Sequence, residues 1–407
     1  MNRYRMRFAP KVWKPALSPK LVDWLRPLRR KQQIRDVQLD RVDVIGQQFV
    51  RDALDSGSGV MIMPNHPSHA DPFAIYAAAD VIGTKLHVMA TWHVFDKKSR
   101  LVQWILRKHG CFSVDREAND IAAFRLATNL LRDKQQPLVI FPEGEIYHCN
   151  DRVTPFREGA SAIAVAAARK SERPIVCIPC AIRYRYEDDP TDKLLETMGQ
   201  LEESIFWRRR VERPLEKRIY DFAEALLAVK ELEYYGETKH GKLPERIQML
   251  GDFILEHVEQ RQDLKGGSKS LPERVKAARQ AIIVKLSEES LSPEGKTQLH
   301  DDLEDLFLVV QSFSYPGNYV TAKPSIERIA ETLDKFEEDV LQQSTASVKA
   351  RRSARVCFGK PIEVIGDKKV KGQTGTITMR IEQAVQKMLD EDAHYQPDAS
   401  AGETAVV

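Results

Sequence analysis

The stretch Val60-Met61-Ile62-Met63-Pro64-Asn65-His66-Pro67-Ser68-His69-Ala70-Asp71-Pro72-Phe73 joins a short apolar run to a helical pattern through a turn crowded with ionisable side chains. Val60–Met63 predicts a buried strand, and the residues from Pro72 to about Ile82 predict a helix. Two histidines and an aspartate share the turn between them. Three readings compete. A metal site would use His66, His69 and Asp71, but Pro67 lies between the histidines and no helix fixes their directions as in HExxH. A capped turn would use Asp71-Pro72 as N-cap and first-turn proline. An acid/base site would pair His66 with Asp71, five positions on, leaving one imidazole nitrogen to take a proton from a hydroxyl. No serine or cysteine in a recognisable nucleophile elbow accompanies them, so the nucleophile of such a site belongs to the substrate.

Outward from this turn, short apolar runs alternate with helical patterns. Leu86–Met89 is followed by helical sequence ending near His109, Cys111–Val114 by a helix over 118–132, Leu138–Phe141 by a helix over 158–168, and then comes the strand Ile175–Ile182. This alternation predicts an α/β domain around a largely parallel sheet, with its chemistry in the loops beyond the strand ends. After Tyr186 charged helical patterns take over: 194–207, 215–233, 243–260, 271–288, 293–313 and 326–341. Strand character returns only at Ala354–Ile362. The chain therefore reads as a basic N-terminal segment (1–39), the first part of an α/β domain (40–189), a helical insertion (190–352), the last strand and helix of the domain (353–390), and a small, polar tail (391–407) expected to lack structure.

Composition bounds the function. With 407 residues and 42% hydrophobic content the chain can build a sizeable core. No run reaches the ~18 consecutive apolar residues of a membrane-spanning helix, and the N-terminus lacks the apolar core of a secretory signal. Five cysteines are sparse and odd in number, which suits free thiols in a reducing compartment. Cys177-Ile-Pro-Cys180 lies within an apolar strand with no second CxxC, a pattern of burial and not of zinc binding. Pro179 in that strand predicts an edge or a bulge. Up to Asp36 there are eleven Lys or Arg against two Asp, a net +9. Ser18-Pro19 starts a helix there, with Leu21, Trp24, Leu25 and Leu28 on one face and Arg26, Arg29, Arg30 and Lys31 around them. That pattern suits an anionic membrane surface, a basic helix docked on the domain, or a transit peptide.

Further motifs follow the His66 turn in order. Gly110-Cys111-Phe112-Ser113-Val114-Asp115-Arg116 puts an arginine just beyond a strand, and Phe141-Pro142-Glu143-Gly144 puts a carboxylate and a glycine beyond the next. The apolar strand around Ile178-Pro179 comes last. This series, NHx4D, GxxxxDR, FPEG and an apolar xIPxA strand, resembles the glycerolipid acyltransferase superfamily, whose reference activity is 1-acylglycerol-3-phosphate O-acyltransferase. Pro155–Ala160 and Phe358–Ile362 resemble later segments of that family. The similarity covers about residues 40–186 and 354–390.

The resemblance implies a mixed, largely parallel sheet flanked by helices, with the helical insertion placed before the last strand. It implies His66 as general base and Asp71 as the residue orienting it. Asn65, Arg116, Glu143, Gly144 and Arg157 would then bind substrate, with Arg116 on an anionic headgroup. The acyl donor would be acyl-CoA or acyl-carrier protein as cosubstrate, with no metal or other cofactor. The acceptor would be a lysophospholipid at an anionic membrane surface, the enzyme being cytoplasmic and peripheral on the inner face; nucleic acid is not an expected partner, and the insertion adds surface for a protein partner. One departure stands out. The family continues FPEG with Thr-Arg-Ser, whereas this chain has Glu145-Ile146-Tyr147-His148. Arg152 or Arg157 would have to replace the missing arginine, or the acceptor is no phosphate monoester. A scaffold with an inactive, lipid-binding acyltransferase fold is the non-enzymatic alternative.

Overall fold

The computed structural model describes residues 11–116, 120–265, 271–286, 291–313, 315, 324–367, 369–393 and 405–406. The described residues form two compact units, one of Thr191–Ser347 and the other of the described residues up to Pro190 and from Val348.

The second of these is built on a sheet of β1 (Leu39–Ile45), β2 (Gly59–Pro64), β3 (His87–Thr91), β4 (Cys111–Val114), β5 (Leu138–Val139), β6 (Ile175–Tyr186), β7 (Arg352–Phe358), β8 (Ile362–Val364) and β9 (Ala405–Val406). The order is β4-β3-β5-β2-β6-β7-β1-β9, with β8 also beside β6. Neighbours from β4 to β6 are parallel, β7 is antiparallel to β6 and parallel to β1, and β8 and β9 are antiparallel to their partners. The helices of this unit are α1 (Pro19–Trp24), α2 (Arg26–Val37), α3 (Gln47–Asp55), α4 (Asp71–Ile82), α5 (His93–Asp96), α6 (Arg100–Lys108), α7 (Ile121–Asp133) and α8 (Gly159–Ala168). A further helix, Gln373–Ala393, closes it near the C-terminus.

Strand periodicity explains the layers. Val60 and Ile62 of β2 pack with α3 and α4 on one face, while Met61 and Met63 pack with α7, α8 and the C-terminal helix on the other. Strands buried on both faces read as continuous apolar runs, and β2 is buried at all six positions. β1 and α3 escaped the sequence reading because Asp40, Arg41 and Asp43 interrupt the apolar pattern of a strand that lies between β7 and the short β9.

Pro179 is neither on an edge strand nor at a bulge. On one side its strand pairs in unbroken register with β2. On the other, β8 covers Ile175–Cys177 and β7 covers Cys180–Tyr186, so Pro179 sits where one partner hands over to the next. Its carbonyl accepts from Gly359 N at 2.9 Å on that side, so its missing N–H faces the gap between the two strands. The expected last strand, 354–362, is correspondingly split into β7 and β8 by Gly359-Lys360-Pro361. Cys177 and Cys180 are fully buried free thiols, and burial pushes Cys177 up to about 12.

The N-terminal helices are docked on the domain. Val22 and Gln33 are buried, Arg29 pairs with the Asp80 carboxylate at 2.6 Å, and Lys85 reaches Asp23 at 2.6 Å. Trp24 and Leu28 nevertheless remain exposed. At the other end, the C-terminal helix continues through 391–393 and Ala405–Val406 pair with β1, against the expectation of a structureless tail; 394–404 and 407 lie outside the described residues, as do 1–10 of the basic segment.

The Thr191–Ser347 unit is helical: α9 (Thr191–Phe206), α10 (Leu215–Tyr235), α11 (Leu243–Arg261), α12 (Leu271–Leu286), α13 (Pro293–Phe313) and α14 (Ile326–Asp339). The C-terminal helix is thus α15. Leu250, Ile254, Val258, Ile282 and Leu306 share its core. Arg218 and Glu202 form a buried two-pronged ion pair at 2.7 and 3.0 Å, and Arg246 and Glu231 repeat the arrangement. Among the described residues no helix is long and apolar enough to cross a membrane.

Candidate active site

The residues singled out in the sequence gather beyond the carboxyl ends of parallel strands: Asn65 and His66 after β2, Arg116 after β4, Glu143 and Gly144 after β5. The turn after β2 is tight because Ser68 serves it twice. Its hydroxyl accepts from Ala70 N at 3.2 Å and its carbonyl from Asp71 N at 3.1 Å. Asp71 is the first residue of α4, where the helix dipole favours a carboxylate. It does not serve as the N-cap, which is Ala70.

Asp71 is fully buried, with three donors on its two oxygens. Oδ2 lies 2.6 Å from His66 Nδ1 and accepts from Ser68 N at 3.1 Å, while Oδ1 accepts from the Tyr184 phenol at 2.7 Å. An ionised carboxylate only accepts, so the shared proton sits on Nδ1 and Nε2 keeps a lone pair. The His66 ring stacks on Phe141, with centroids 4.1 Å apart, and its side chain is 17% exposed. Nε2 is therefore the nitrogen left to meet a ligand. His69 instead faces His148, with ring centroids 5.8 Å apart.

Asn65, expected on the substrate, is hydrogen-bonded into the fold through its side-chain amide. Oδ1 accepts from Ile182 N at 2.7 Å and Nδ2 donates to Ile182 O at 3.0 Å, continuing by side chain the ladder that β2 leaves at Pro64. Asn150 grips Tyr184, two residues further along β6, in the same way at 2.6 and 2.7 Å. Both loops of the site are thereby fixed to one strand. Nothing in the sequence marks Asn150 or Tyr184, because neither the pairing nor the phenol's direction has a local pattern.

Glu143 is also internal. Its Oε1 accepts from His66 N at 3.0 Å, its Oε2 from the Thr154 hydroxyl, and it is 3% exposed. Burial pushes its carboxyl up to about 8 in spite of these two donors, with Asp71 adding in the same direction. Its position braces the His66 backbone.

Arg116 and Arg157 converge on the Gly144 turn. Arg116 Nη1 donates to Gly144 O and lies 3.2 Å from Glu145 Oε2. The Arg157 guanidinium packs against Gly144 so closely that a Cβ there would stand 3.0 Å from Nε, and Gly144 has φ +77°. The positive φ favours glycine, whereas the guanidinium would have to give by only a few tenths of an ångström. Arg157 also faces the buried Tyr147. His93, which the sequence did not single out, accompanies this group: burial first, then the Arg116 and Lys97 charges, push its imidazole down to about 4.

Residues 41–183 match the family model described as Acyltransferase. This segment belongs to the glycerolipid acyltransferase superfamily. The match holds β1 to the middle of β6, with His66, Asp71, Arg116, Glu143 and Gly144 inside it, and acyl transfer is the activity that the acyltransferase domain carries. Tyr184 lies one residue beyond the match, and β7, which the domain's sheet needs between β6 and β1, comes about 170 residues later. No curated protein matches the chain.

Proposed function

We propose that the acyltransferase domain moves a fatty acyl group from acyl-CoA or acyl-carrier protein to the hydroxyl of a lysophospholipid at an anionic membrane surface, in phospholipid biosynthesis or remodelling. The observation that carries this reading is the His66–Asp71 pair, with Nδ1 committed to the carboxylate at 2.6 Å and Nε2 unengaged by it. His66 Nε2 takes the proton of the acceptor hydroxyl as its oxygen attacks the thioester carbonyl carbon. Asp71 stabilises the imidazolium that forms. The tetrahedral intermediate then expels the thiolate, the C–S bond breaks, and the proton held on Nε2 passes to sulfur. Atoms and charge balance without a metal, another cofactor or an acyl-enzyme.

Arg116 supplies the cation for an anionic headgroup, and lysophosphatidate (1-acylglycerol-3-phosphate) is the reference acceptor. The contact between Arg116 and Glu145 favours a second reading, because a carboxylate already neutralises that guanidinium. An acceptor carrying an ammonium group as well as a phosphate would satisfy both side chains. Acyl transfer to a panel of lysophosphatidate, lysophosphatidylethanolamine and uncharged monoacylglycerol tests this. Transfer confined to the phosphate-bearing acceptors supports the headgroup role of Arg116, and preference for the uncharged one would overturn it.

A further inference from the structure

The segment Val94–Lys108 carries large apolar side chains that the fold leaves in water. Helix α6 has no buried residue, and its Leu101 and Trp104 are 65% and 45% exposed; Val94 of α5 is 41% exposed. Leu101 and Trp104 are three apart and share a helix face, whereas Leu106 turns inward against the domain core. Lys97, Lys98 and Arg100 precede these residues, Lys108 stands 5.9 Å from the Trp104 ring, and no Asp or Glu occurs from Lys97 to Val114. The nearest acid before them, Asp96, is paired with Lys11 at 2.7 Å.

The ridge is firmly mounted. Ser99 caps α6, Gln103 Nε2 donates to Phe95 O and Lys98 O, and the N-terminal strap binds its far end through Ala16 N to Arg107 O at 2.9 Å and Ser18 N to Lys108 O at 3.0 Å. Helix α1, with the exposed Trp24, begins where α6 ends. The ridge follows β3 closely, and His93, the first residue of α5, lies within electrostatic reach of Arg116 and Glu145.

We infer that α5–α6 is the element by which this protein sits on an anionic phospholipid bilayer, with Leu101 and Trp104 in the interface and Lys97, Lys98, Arg100 and Lys108 among the headgroups. An aromatic–aliphatic edge whose cations outnumber its acids, with Asp96 paired to Lys11 and Asp36 within electrostatic reach of Lys98, complements a negative lipid surface. Tryptophan with a snorkelling lysine beside it suits the headgroup level. The inference deepens the acyl-transfer reading, since it sets the lipid surface next to Arg116, but its test requires no turnover.

The full-length protein is sedimented with vesicles of phosphatidylcholine alone and of equimolar phosphatidylcholine and phosphatidylglycerol. Binding to the anionic vesicles is expected, weakened by salt. Leu101→Asp combined with Trp104→Asp should reduce it by about tenfold or more. Bromolipid quenching of tryptophan fluorescence should lose a component in Trp104→Phe. A Trp24→Asp control keeps most of the binding. Anionic binding unaltered in the double variant, or abolished by Trp24→Asp alone, would overturn the inference. So would a double variant that changes oligomeric state and leaves vesicle binding intact, because the ridge would then be a protein interface. Failure of acyl transfer with vesicle binding preserved refutes only the catalytic reading.

Discussion

The phenol of Tyr184 donates to Asp71 Oδ1 at 2.7 Å while His66 Nδ1 holds Oδ2 of the same carboxylate at 2.6 Å. Burial, and next the Asp71 charge, keep the phenol well above its usual range, so it remains a donor throughout the working pH. Tyr184 thus positions the carboxylate that holds His66, the proposed base. A hydrogen bond to a charged group contributes ~1.5–3 kcal/mol, so Tyr184→Phe is expected to lower kcat by about tenfold to a hundredfold. The KM for both substrates should stay the same. A fall in KM-linked binding with kcat intact would assign Tyr184 to the substrate pocket instead.

Glu143 makes stability depend on pH. Its folded-state value of about 8 lies above the ordinary carboxylate value, so the folded protein keeps a proton that the unfolded chain releases. That contribution to stability is present in full below about pH 4.5 and is lost as pH rises towards about 8. Glu143→Gln keeps the acceptor for His66 N without the titration. The melting temperature of the variant relative to wild type should therefore climb between pH 5 and 8. A constant difference across that range would show that Glu143 is ionised in the folded protein.

Asn65 and Asn150 act as side-chain extensions of the sheet. Asn65→Ala strands the buried N–H and C=O of Ile182, each costing ~1–3 kcal/mol, and should lower the urea midpoint accordingly. Asn150→Ala should do the same through Tyr184, with an added loss of kcat because Tyr184 touches Asp71. Equal catalytic effects of the two would remove that distinction.

On the proposed reading Glu145, 3.2 Å from Arg116, competes with the acceptor phosphate for that guanidinium. Glu145→Gln should lower the KM for lysophosphatidate by about tenfold, the scale of one charge-assisted contact. An unchanged KM would mean that Arg116 does not meet the acceptor phosphate.

Much of this was legible in the chain. β2, β4 and β6 announce themselves as continuous apolar runs, and the order of the loop motifs places His66, Arg116 and Glu143 at one end of the sheet. β1 was not legible, because its charged residues mask a strand buried at only some positions. The motifs place Asn65 and Glu143 beside His66 but do not show which way their side chains turn. Asn65 grips Ile182, 117 residues away, and Glu143 braces His66 N, 77 residues away. Tyr184 and Asn150 carry no local signature at all; only the register of β6 brings them to the site.

The most direct test of the central claim is acyl transfer from labelled acyl-CoA to a mixture of lysolipids by purified wild type and His66→Ala, with the product identified by mass. The account predicts an acylated lysolipid from the wild type and a loss of ~100-fold or more in the variant. Transfer by His66→Ala at the wild-type rate would contradict it.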